Sequence, residues 1–200
     1  MEESIYGDSK VLIEMSIKEL LYRINDIRKS QISTGKNDPV QYAISRAKTS
    51  KSMAEKLERK GLKVSKENAL NKVYDAAGIR LICPYISDVY TVVELIKKQK
   101  DLIIFKEKDY IKFPKENGYR SYHLIVKVPV NNQNELKMMY VEIQIRTIAE
   151  DCWASLEHEL KYKKNISNSE IIIEELKNCA DNIATVDINM QSIKDMINQN

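Results

Sequence analysis

The stretch Val141–Arg146, with the sequence VEIQIR, is the most informative part of this chain for its fold. Its side chains alternate between apolar and polar, and a period of two residues is typical of a β-strand whose two faces meet different surroundings. The apolar members are Val141, Ile143 and Ile145, and the polar members are Glu142, Gln144 and Arg146. The pattern predicts a sheet with an apolar face turned to a core and an opposite face that carries an acid, an amide and a base.

The same alternation is present in the stretch His123–Val128. The apolar face would gain Leu124, Val126 and Val128, and the polar face would gain His123 and Lys127. Solvated sheet faces more often carry Lys, Thr and Ser than a row of Glu, Gln and Arg. We therefore interpret the polar face as the floor of an active site, and a plain solvated face is the alternative.

Helices and further strands surround these two stretches. Apolar residues at spacings of three and four predict an amphipathic helix over residues 9–30, a crossover helix over Ser87–Lys100 and helical structure from Ala149 onward. The other predicted strands are Ala77–Cys83 and Leu102–Phe105, and the strand that contains VEIQIR extends over Met139–Arg146. Residues 31–41 are predicted as a connection. This order predicts an α+β fold with α/β character, in which helices cover one face of a mixed sheet.

The composition is typical of one globular domain with helical arms. The 200 residues are 43% hydrophobic and 30% charged, so a core can form and disorder is not expected. No apolar run approaches the roughly 18 residues of a membrane span, and the acidic start lacks the apolar segment of a signal peptide. Three cysteines without metal-like spacing are interpreted as reduced thiols. We therefore expect a cytoplasmic protein with no membrane partner.

A basic segment, followed by a helix that ends near Gly61, is the predicted phosphate site. The five glycines are too scattered for a phosphate-binding loop, so phosphates would meet side chains and a helix end. Ser52 and Glu55 fit a capping box, and Lys56 and Arg59 follow Ser52 on one helical face. The cations of the segment are Arg46, Lys48, Lys51, Lys56, Arg59 and Lys60. Because the net charge is only +3, this patch indicates a small phosphate-rich ligand, and a solvated basic helix is the alternative.

Two carboxylates are candidate metal ligands. Asp75 precedes the strand Ala77–Cys83, which also carries Arg80, and Glu142 lies on the polar face of the predicted sheet. Two carboxylates and substrate phosphates are the usual ligands of Mg²⁺ in proteins. For Asp75 the alternative is an ordinary turn residue.

The segment Lys108–His123, with the sequence KDYIKFPKENGYRSYH, mixes polar and aromatic residues. Gly118 permits a tight turn, and Tyr119 suits either a core or a platform on which a base stacks. His123 suits either a site or ordinary packing. Taken alone, each of these residues would be interpreted as a structural one.

Together, three ordered motifs resemble those of the RelA/SpoT-type alarmone synthetases. They are DAAGIR at Asp75–Arg80, the segment Lys108–His123, and VEIQIRT at Val141–Thr147 followed by WASLEH at Trp153–His158. The chain length is similar to that of the small alarmone synthetases of the bacterial stringent response. Ala76 stands where the family usually has a larger aliphatic residue, a difference that affects packing only.

The resemblance implies a fold and a set of site residues. The fold would be nucleotidyltransferase-like, a mixed sheet with flanking helices. Adenine would be clamped by Arg46 and Arg80, the ATP phosphates would be held by Lys48, Ser52, Lys56 and Arg59, and Mg²⁺ would be held by the catalytic carboxylates Asp75 and Glu142. The guanine nucleotide would contact Lys115, Tyr119, His123 and Gln144, with Tyr119 stacked on guanine and with Lys108, Asn117 and Arg120 as further candidates.

The resemblance also implies a reaction. The 3′-hydroxyl of GDP or GTP, with GMP as a further candidate, would attack the β-phosphorus of ATP and release AMP. Long family members hydrolyse alarmones with a metal-dependent His-Asp domain. The only histidines here are His123 and His158, neither precedes an aspartate, and we see no room for such a domain. We therefore expect synthesis without hydrolysis.

The predicted organisation is a helical arm over residues 1–40, a synthetase domain over residues 41–165 and a helix over residues 166–200. The last carries an apolar stripe from Ile173 to Ile197, which would pack on the domain or pair between subunits. The resemblance favours a homotetramer and an alarmone as an allosteric ligand. The basic patch and Tyr119 would also suit single-stranded RNA, as a regulator or as the main ligand of a non-enzymatic binder. The paired carboxylates argue against the second of these.

Overall fold

The structure is a computed structural model that describes residues 4–133, 135–162 and 169–199. Its described helices and strands alternate in an order close to the one that the sequence predicts. In chain order they are α1 (Ser9–Ser33), β1 (Tyr42–Ala47), α2 (Ser50–Arg59), α3 (Lys66–Asn71), β2 (Ala77–Cys83), α4 (Ile86–Lys97), β3 (Ile103–Asp109), β4 (Tyr122–Asn132), β5 (Glu135–Thr147), α5 (Ile148–Tyr162) and α6 (Ser169–Asn198).

The five strands form one sheet in the order β1-β2-β5-β4-β3. Strands β2 and β5 are parallel, and the other neighbouring strands are antiparallel. The register places Arg80 of β2 and His123 of β4 on either side of Gln144 in β5. This is the mixed sheet of the predicted α+β fold, and it puts polar residues of β2, β4 and β5 in one row.

Helices α1 and α4 cover the apolar face of the sheet. Leu20 of α1 and Val89 of α4 are fully buried, and so are Ile143 of β5 and Leu124 of β4. Burial of each such side chain stabilises the fold by about 1.5–3 kcal/mol. The predicted division into one apolar and one polar face is therefore confirmed.

Two strands differ from the prediction. Strand β1 lies within a stretch that we interpreted as a basic segment. All six of its side chains are exposed, so the strand has no buried face that would give its sequence an alternating apolar pattern. It pairs with β2 at the edge of the sheet, which carries Arg46 onto the polar face beside Gly78. Strand β3 extends four residues beyond the predicted end at Phe105, so Lys106 and Lys108 lie on a strand.

The capping box predicted at Ser52 is wrong. Helix α2 begins at Ser50, and its N-cap is Thr49, whose extended backbone (φ −65°, ψ 152°) ends the preceding strand. The Thr49 hydroxyl oxygen accepts from the backbone N–H of Ser52 at 3.2 Å. Ser52 therefore lies in the first turn, where a cap three residues earlier has already satisfied its N–H.

The apolar stripe of α6 divides into two parts. Leu176, Ala180 and Ile183 pack against Trp153 of α5, whose indole N–H donates to the carbonyl of Leu176 at 2.8 Å. The second half leaves exposed apolar side chains at Val186, Met190, Ile193 and Ile197. Packing on the domain thus explains only the first half. Within the described part of the chain, no helix is long and apolar enough to span a membrane.

Candidate active site

The polar face of the sheet collects the candidate residues in two adjacent rows. The first row runs from Arg80 through Gln144 and His123 to Lys108, each paired in register with the next. The second row places Glu142 between Gly78 on β2 and Ile125 on β4. Side chains two residues apart on a strand share a face, so Glu142 and Gln144 point to the same side.

Two cavities meet on this face, and both are lined by Asp75 and Glu142. The lysine cavity, of about 420 Å³, is within the size range of ligand pockets. It is lined by Lys56, Lys60, Lys72, Val73, Tyr74, Asp75, Lys106, Lys108, Tyr110, Lys115, His123, Ile125 and Glu142. The arginine cavity, of about 240 Å³, is lined by Ile44, Arg46, Asp75, Gly78, Ile79, Arg80, Glu142 and Gln144. The two carboxylates therefore lie where two cationic ligand spaces join.

Asp75 is held by two lysines. Its Oδ2 lies 2.6 Å from Lys56 Nζ and 2.9 Å from Lys48 Nζ, whereas its buried Oδ1 has no hydrogen-bond partner among the residues that the structure describes. Burial works to raise the pKa of Asp75, but the hydrogen bonds from Lys56 and Lys48 outweigh it and hold the pKa below its usual value. Asp75 is therefore a carboxylate with one free, buried oxygen.

Glu142 has different surroundings. Its Oε2 accepts from Gln144 Nε2 at 3.0 Å, and its Oε1 lies 3.7 Å from His123 Nδ1. Burial, and next the negative charge of Asp75, raise the pKa of Glu142 above its usual value. A carboxylate whose proton affinity is raised in this way suits the role of proton acceptor.

The two carboxylates fit a Mg²⁺ ion. The unpartnered Oδ1 of Asp75 is a hard, anionic oxygen aligned with no protein donor, and Glu142 lines the same two cavities. No group of three or more His, Cys, Asp or Glu side chains is close enough to hold a metal among residues 4–133, 135–162 and 169–199. Two carboxylates that leave coordination positions for phosphate oxygens are typical of Mg²⁺ sites in nucleotide enzymes.

An aromatic cluster forms one wall of the lysine cavity. The Tyr119 hydroxyl lies 2.8 Å from His123 Nε2, and the Tyr110 and His123 rings meet edge to face at 5.2 Å. Lys115 Nζ lies 4.5 Å from the centre of the Tyr119 ring and 4.8 Å from that of Tyr110. Tyr110 lines the cavity, whereas the Tyr119 ring lies behind Lys115, so stacking of guanine on Tyr119 would require Lys115 to move.

Six candidate residues lie outside both cavity linings, and four of them do not contact a lining residue through a side-chain hydrogen bond or ion pair within the described residues. Ser52 and Arg59 are exposed on α2, beyond the cavity linings. Asn117 Nδ2 donates to Glu157 of α5 at 3.1 Å, and Arg120 donates to the carbonyl of Ala180 at 3.3 Å and pairs with Asp181. The structure brings together the remaining candidates, either in the linings or, for Lys48 and Tyr119, in direct contact with a lining residue.

Several lining residues were not predicted. Lys72, Tyr74, Lys106 and Tyr110 line the lysine cavity, as does Lys60, which was named in the basic segment but not assigned to a ligand. The period of two would have joined Lys106 to Lys108, had β3 been predicted at its full length. Another missed residue is Asp151 of α5, which contacts both Arg80 and Arg146 across the fold. No spacing in the sequence identifies these contacts.

Comparison with known proteins supports a family assignment. Residues 45–167 match the family model described as the region found in RelA / SpoT proteins. The chain is 45% identical over 158 residues to GTP pyrophosphokinase YwaC of Bacillus subtilis, covering 79% of this chain and 75% of that protein. It is 31% identical over 194 residues to GTP pyrophosphokinase YjbM of the same organism, covering 97% and 90% respectively.

Solved structures agree with this assignment. Small alarmone synthetase 2 from Bacillus subtilis has a TM-score of 0.85 and 39% identity, with 94% of this chain and 97% of that chain covered. Small alarmone synthetase 1 from Bacillus subtilis, bound to its product pppGpp, has a TM-score of 0.84 and 31% identity, with 94% and 95% covered. The match over residues 45–167 contains strands β2 to β5 and all three motifs, so this chain belongs to the RelA/SpoT family.

Proposed function

We propose that this chain is a cytoplasmic GTP pyrophosphokinase that transfers a pyrophosphate group from ATP to the 3′-hydroxyl of GDP or GTP, with GMP as a further acceptor. The products would be AMP and guanosine tetra- or pentaphosphate, the alarmones of the stringent response. One observation carries the proposal: Asp75 and Glu142 lie at the junction of two cationic cavities. Similarity to the GTP pyrophosphokinases YwaC and YjbM supports it. So does similarity to the structures of small alarmone synthetase 1 bound to pppGpp and to AMPCPP.

ATP would bind at the arginine cavity. The guanidinium groups of Arg46 and Arg80 are planar and suit the two faces or edges of an adenine ring. The ATP phosphates would be held by Lys48, Ser52, Lys56 and Arg59, and Arg59 would have to turn from solvent toward them. Lys48 and Lys56 both contact Asp75, a proposed metal ligand. These contacts support placing the ATP phosphates, which would also bind the metal, beside the two lysines.

The guanine nucleotide would bind at the lysine cavity. Lys108, Lys115, Tyr119, His123 and Gln144 would contact it, and the edge-to-face rings beside Lys115 support an aromatic base site. We assign Asn117 and Arg120 to the support of this loop, because both bind the C-terminal helices. The additional lysines of this cavity suit the 5′-phosphates of GDP or GTP.

Asp75 and Glu142 would hold a Mg²⁺ ion, which when bound neutralises phosphate charge and holds the two nucleotides in place. Glu142 would accept the proton of the 3′-hydroxyl while the oxygen attacks the β-phosphorus of ATP. The bond between the β-phosphorus and the oxygen that bridges to the α-phosphorus breaks, and AMP leaves with that oxygen. General-base assistance contributes about 10²–10⁴-fold, and positioning with charge neutralisation supplies most of the rest.

The charge balance of the site supports this assignment. ATP carries about −4 and GDP about −3, so one Mg²⁺ leaves about −5. The cations proposed for the ATP side, which match this charge, are Arg46, Lys48, Lys56, Arg59 and Arg80. The lowered pKa of Asp75 keeps that side chain ionised between Lys48 and Lys56, where it holds both ammonium groups at the junction of the cavities.

We further propose that this chain does not hydrolyse alarmones, because its two histidines do not precede an aspartate. Release of inorganic pyrophosphate from guanosine tetraphosphate by the purified chain would contradict this. A homotetramer formed through the exposed half of α6, an alarmone as allosteric ligand and single-stranded RNA as regulator stay predictions. So do the domain bounds at 41–165 and 166–200, part of which lies outside the described residues.

The direct test is to incubate the purified protein with ATP, Mg²⁺ and GMP, GDP or GTP in turn, and to separate the products. We expect AMP in equal amount to a 3′-pyrophosphorylated guanosine, and loss of both when a chelator removes the metal. Hydrolysis of ATP to ADP would indicate a different reaction. Binding of both nucleotides without any AMP would contradict the proposed catalysis.

A further inference from the structure

Arg146 is a buried cation on the polar face of β5 that the proposed mechanism does not use. The residue is only 4% exposed, and burial of a guanidinium group is costly unless its donors are paired. Within the described part of the chain it donates three side-chain hydrogen bonds. NH1 donates to Asp151 Oδ1 at 3.1 Å, and NH2 donates to the Tyr119 hydroxyl at 2.7 Å and to Gln144 Oε1 at 3.0 Å. Arg146 therefore joins α5, the Tyr119 loop and β5 at the edge of the site.

The chemistry of the guanidinium group gives these contacts a direction. Arginine donates hydrogen bonds and never accepts them. The carbonyl oxygen of Gln144 must therefore face Arg146, which leaves the amide NH₂ to face Glu142. The Gln144 Nε2 does donate to Glu142 Oε2 at 3.0 Å. Arg146 thus fixes which way the Gln144 amide is oriented.

The Tyr119 hydroxyl has two partners. Its oxygen accepts from Arg146, and His123 Nε2 at 2.8 Å is the acceptor within reach of its own proton, so we infer that the hydroxyl donates to Nε2. A neutral imidazole that accepts on Nε2 carries its proton on Nδ1. Nδ1 is the nitrogen that faces Glu142 Oε1, at 3.7 Å. Such catalytic contacts often shorten when substrates bind.

The surroundings of His123 agree with a neutral ring. Burial, followed by the positive charges of Arg146, Lys115 and Lys108, lowers the pKa of His123 to about 3. Glu142 Oε2 then faces the Gln144 amide N–H, and Oε1 faces the Nδ1–H of His123. The orientation of both N–H groups depends on Arg146. The hydrogen bond from Gln144 and the nearby His123 Nδ1 thus orient the carboxylate of Glu142, the proposed proton acceptor.

We infer that Arg146, anchored by Asp151, is a positioning residue that sets the direction of two sets of hydrogen bonds: one through Gln144 to Glu142, and one through Tyr119 to His123, whose Nδ1 faces Glu142. The inference rests on the proposed function for its catalytic meaning. Asp151 Oδ1 also lies 3.2 Å from Arg80 NH1, so the same carboxylate anchors an arginine of the proposed adenine site. The anchor is therefore shared by both cavities.

The first test measures the His123 tautomer without any activity. The chain has two histidines, and His158 is exposed on α5, so ¹⁵N-histidine NMR shows two rings that a His158→Gln variant assigns. We expect the proton of His123 on Nδ1 in the wild type, and its transfer wholly or partly to Nε2 in Tyr119→Phe, which keeps the ring but removes the hydroxyl. A wild-type His123 protonated on Nε2 would overturn the inference.

The second test is a double-mutant cycle in the synthesis reaction. Arg146→Gln leaves Asp151 paired with Arg80. We expect Arg146→Gln to lower kcat at least about tenfold, and the double variant with Tyr119→Phe to lose less than the product of the two single losses, because both act through His123. Multiplicative losses, or an unchanged kcat in Arg146→Gln, would contradict a positioning role.

A matched control separates positioning from stability. Arg23 is a partly buried arginine that pairs with Glu19 and Asp101 outside the site. We expect Arg23→Gln to lower the Tm but to keep kcat, whereas Arg146→Gln lowers kcat at temperatures well below its own Tm. If Arg146→Gln does not fold, the His123 tautomer in the wild type and in Tyr119→Phe still tests the inferred hydrogen-bond directions. A wild type that forms no AMP refutes the proposed function, while the NMR result still decides the hydrogen-bond directions.

Discussion

Glu142 is the side chain on which the proposed chemistry depends most directly. Glu142→Gln keeps the shape and the contact with Gln144, but it removes the proton acceptor and one anionic ligand of the metal. We expect kcat to fall by at least about 10²-fold, the lower limit for loss of a general base. Synthesis of AMP is the measurement, with thermal unfolding to verify that the variant is folded.

The control for this variant lies on the same strand. Glu135 is at the far end of β5, its side chain is 69% exposed, and its partner is Lys137 at 3.0 Å. Glu135→Gln removes a carboxylate from the same strand without touching either cavity, and we expect it to leave kcat unchanged. Wild-type turnover in Glu142→Gln would remove Glu142 from the mechanism.

At the residue scale, the sequence allowed the two carboxylates to be predicted but not their neighbours. Glu142 follows from the alternation of its strand, and Asp75 from its place before β2. Asp151 was not predicted, because its link to Arg80 and Arg146 depends on where α5 packs. Arg59 was predicted on the face of Lys56, yet it lies in solvent while Lys60 lines the cavity.

Among the secondary-structure elements, α6 supports the loop that carries Lys115 and Tyr119. Gly118 has a left-handed backbone (φ +82°), and a Cβ there would lie 2.5 Å from the Cβ of Ala180. Gly118→Ala would therefore combine backbone strain of about 1–2 kcal/mol with overpacking of about 1–3 kcal/mol. We expect a lower Tm and a KM for the guanine nucleotide raised by up to about 100-fold, because a small displacement of the loop misplaces its contacts.

Gly61 provides a matched control for the strain. Its φ is +67°, but a Cβ there would have no neighbour within 4 Å. Gly61→Ala should therefore show the cost of the left-handed backbone alone and leave the KM for the guanine nucleotide unchanged. Adding Ala180→Gly to Gly118→Ala should recover part of the lost Tm. If it recovers nothing, contact with α6 is not the cause.

The start of α5 contains a carboxyl group that makes stability depend on pH. Thr147 and Glu150 cap each other: Thr147 N–H donates to Glu150 Oε2, and Glu150 N–H donates to the Thr147 hydroxyl oxygen, each at 3.0 Å. Burial raises the pKa of Glu150 from 4.5 to about 8, and Asp187 of α6 adds to the rise. The folded protein thus binds this proton more tightly than the unfolded chain does.

The linkage has a definite sign. The contribution of Glu150 protonation to the free energy of unfolding is fully present below about pH 4.5, and it is lost as the pH rises through about 8. Glu150→Gln keeps an oxygen that accepts from Thr147 but has no proton to lose. The Tm of this variant should therefore fall less than that of the wild type between pH 5 and 8. Each kcal/mol of stability corresponds to about 2–4 °C in Tm. Glu159→Gln, at an exposed position of the same helix, should keep the wild-type slope. Equal slopes in all three proteins would contradict the assignment.

The elements differ in how well the sequence predicts them. Strands β2, β4 and β5 follow from alternation because each has one face against the core. Strand β1 is an edge strand with both faces exposed, so its pairing with β2, and not its side chains, makes it a strand. The start of α2 was misplaced because Thr49 and Ser52 are both good caps, and only the end of β1 decides between them.

For the whole molecule, the unexplained feature is the exposed apolar half of α6. Val186, Met190, Ile193 and Ile197 are between 46% and 68% exposed, and they share one side of a helix. Apolar patches of this kind mark protein interfaces more often than free surfaces. The predicted homotetramer would cover them, and neither cavity contributes a residue to this patch.

The pair Met190→Asp and Ile197→Asp places two charges on that patch. Because both side chains are exposed in the single chain, the fold should remain intact, whereas burial of two unpaired carboxylates would strongly disfavour association. We expect light scattering after size exclusion to give the mass of four chains for the wild type and of fewer for the variant. Asn178→Asp with Asn182→Asp adds the same charge to other exposed positions of α6 and should keep the wild-type mass. A wild type that is monomeric at all concentrations would mean that the patch serves no contact between copies.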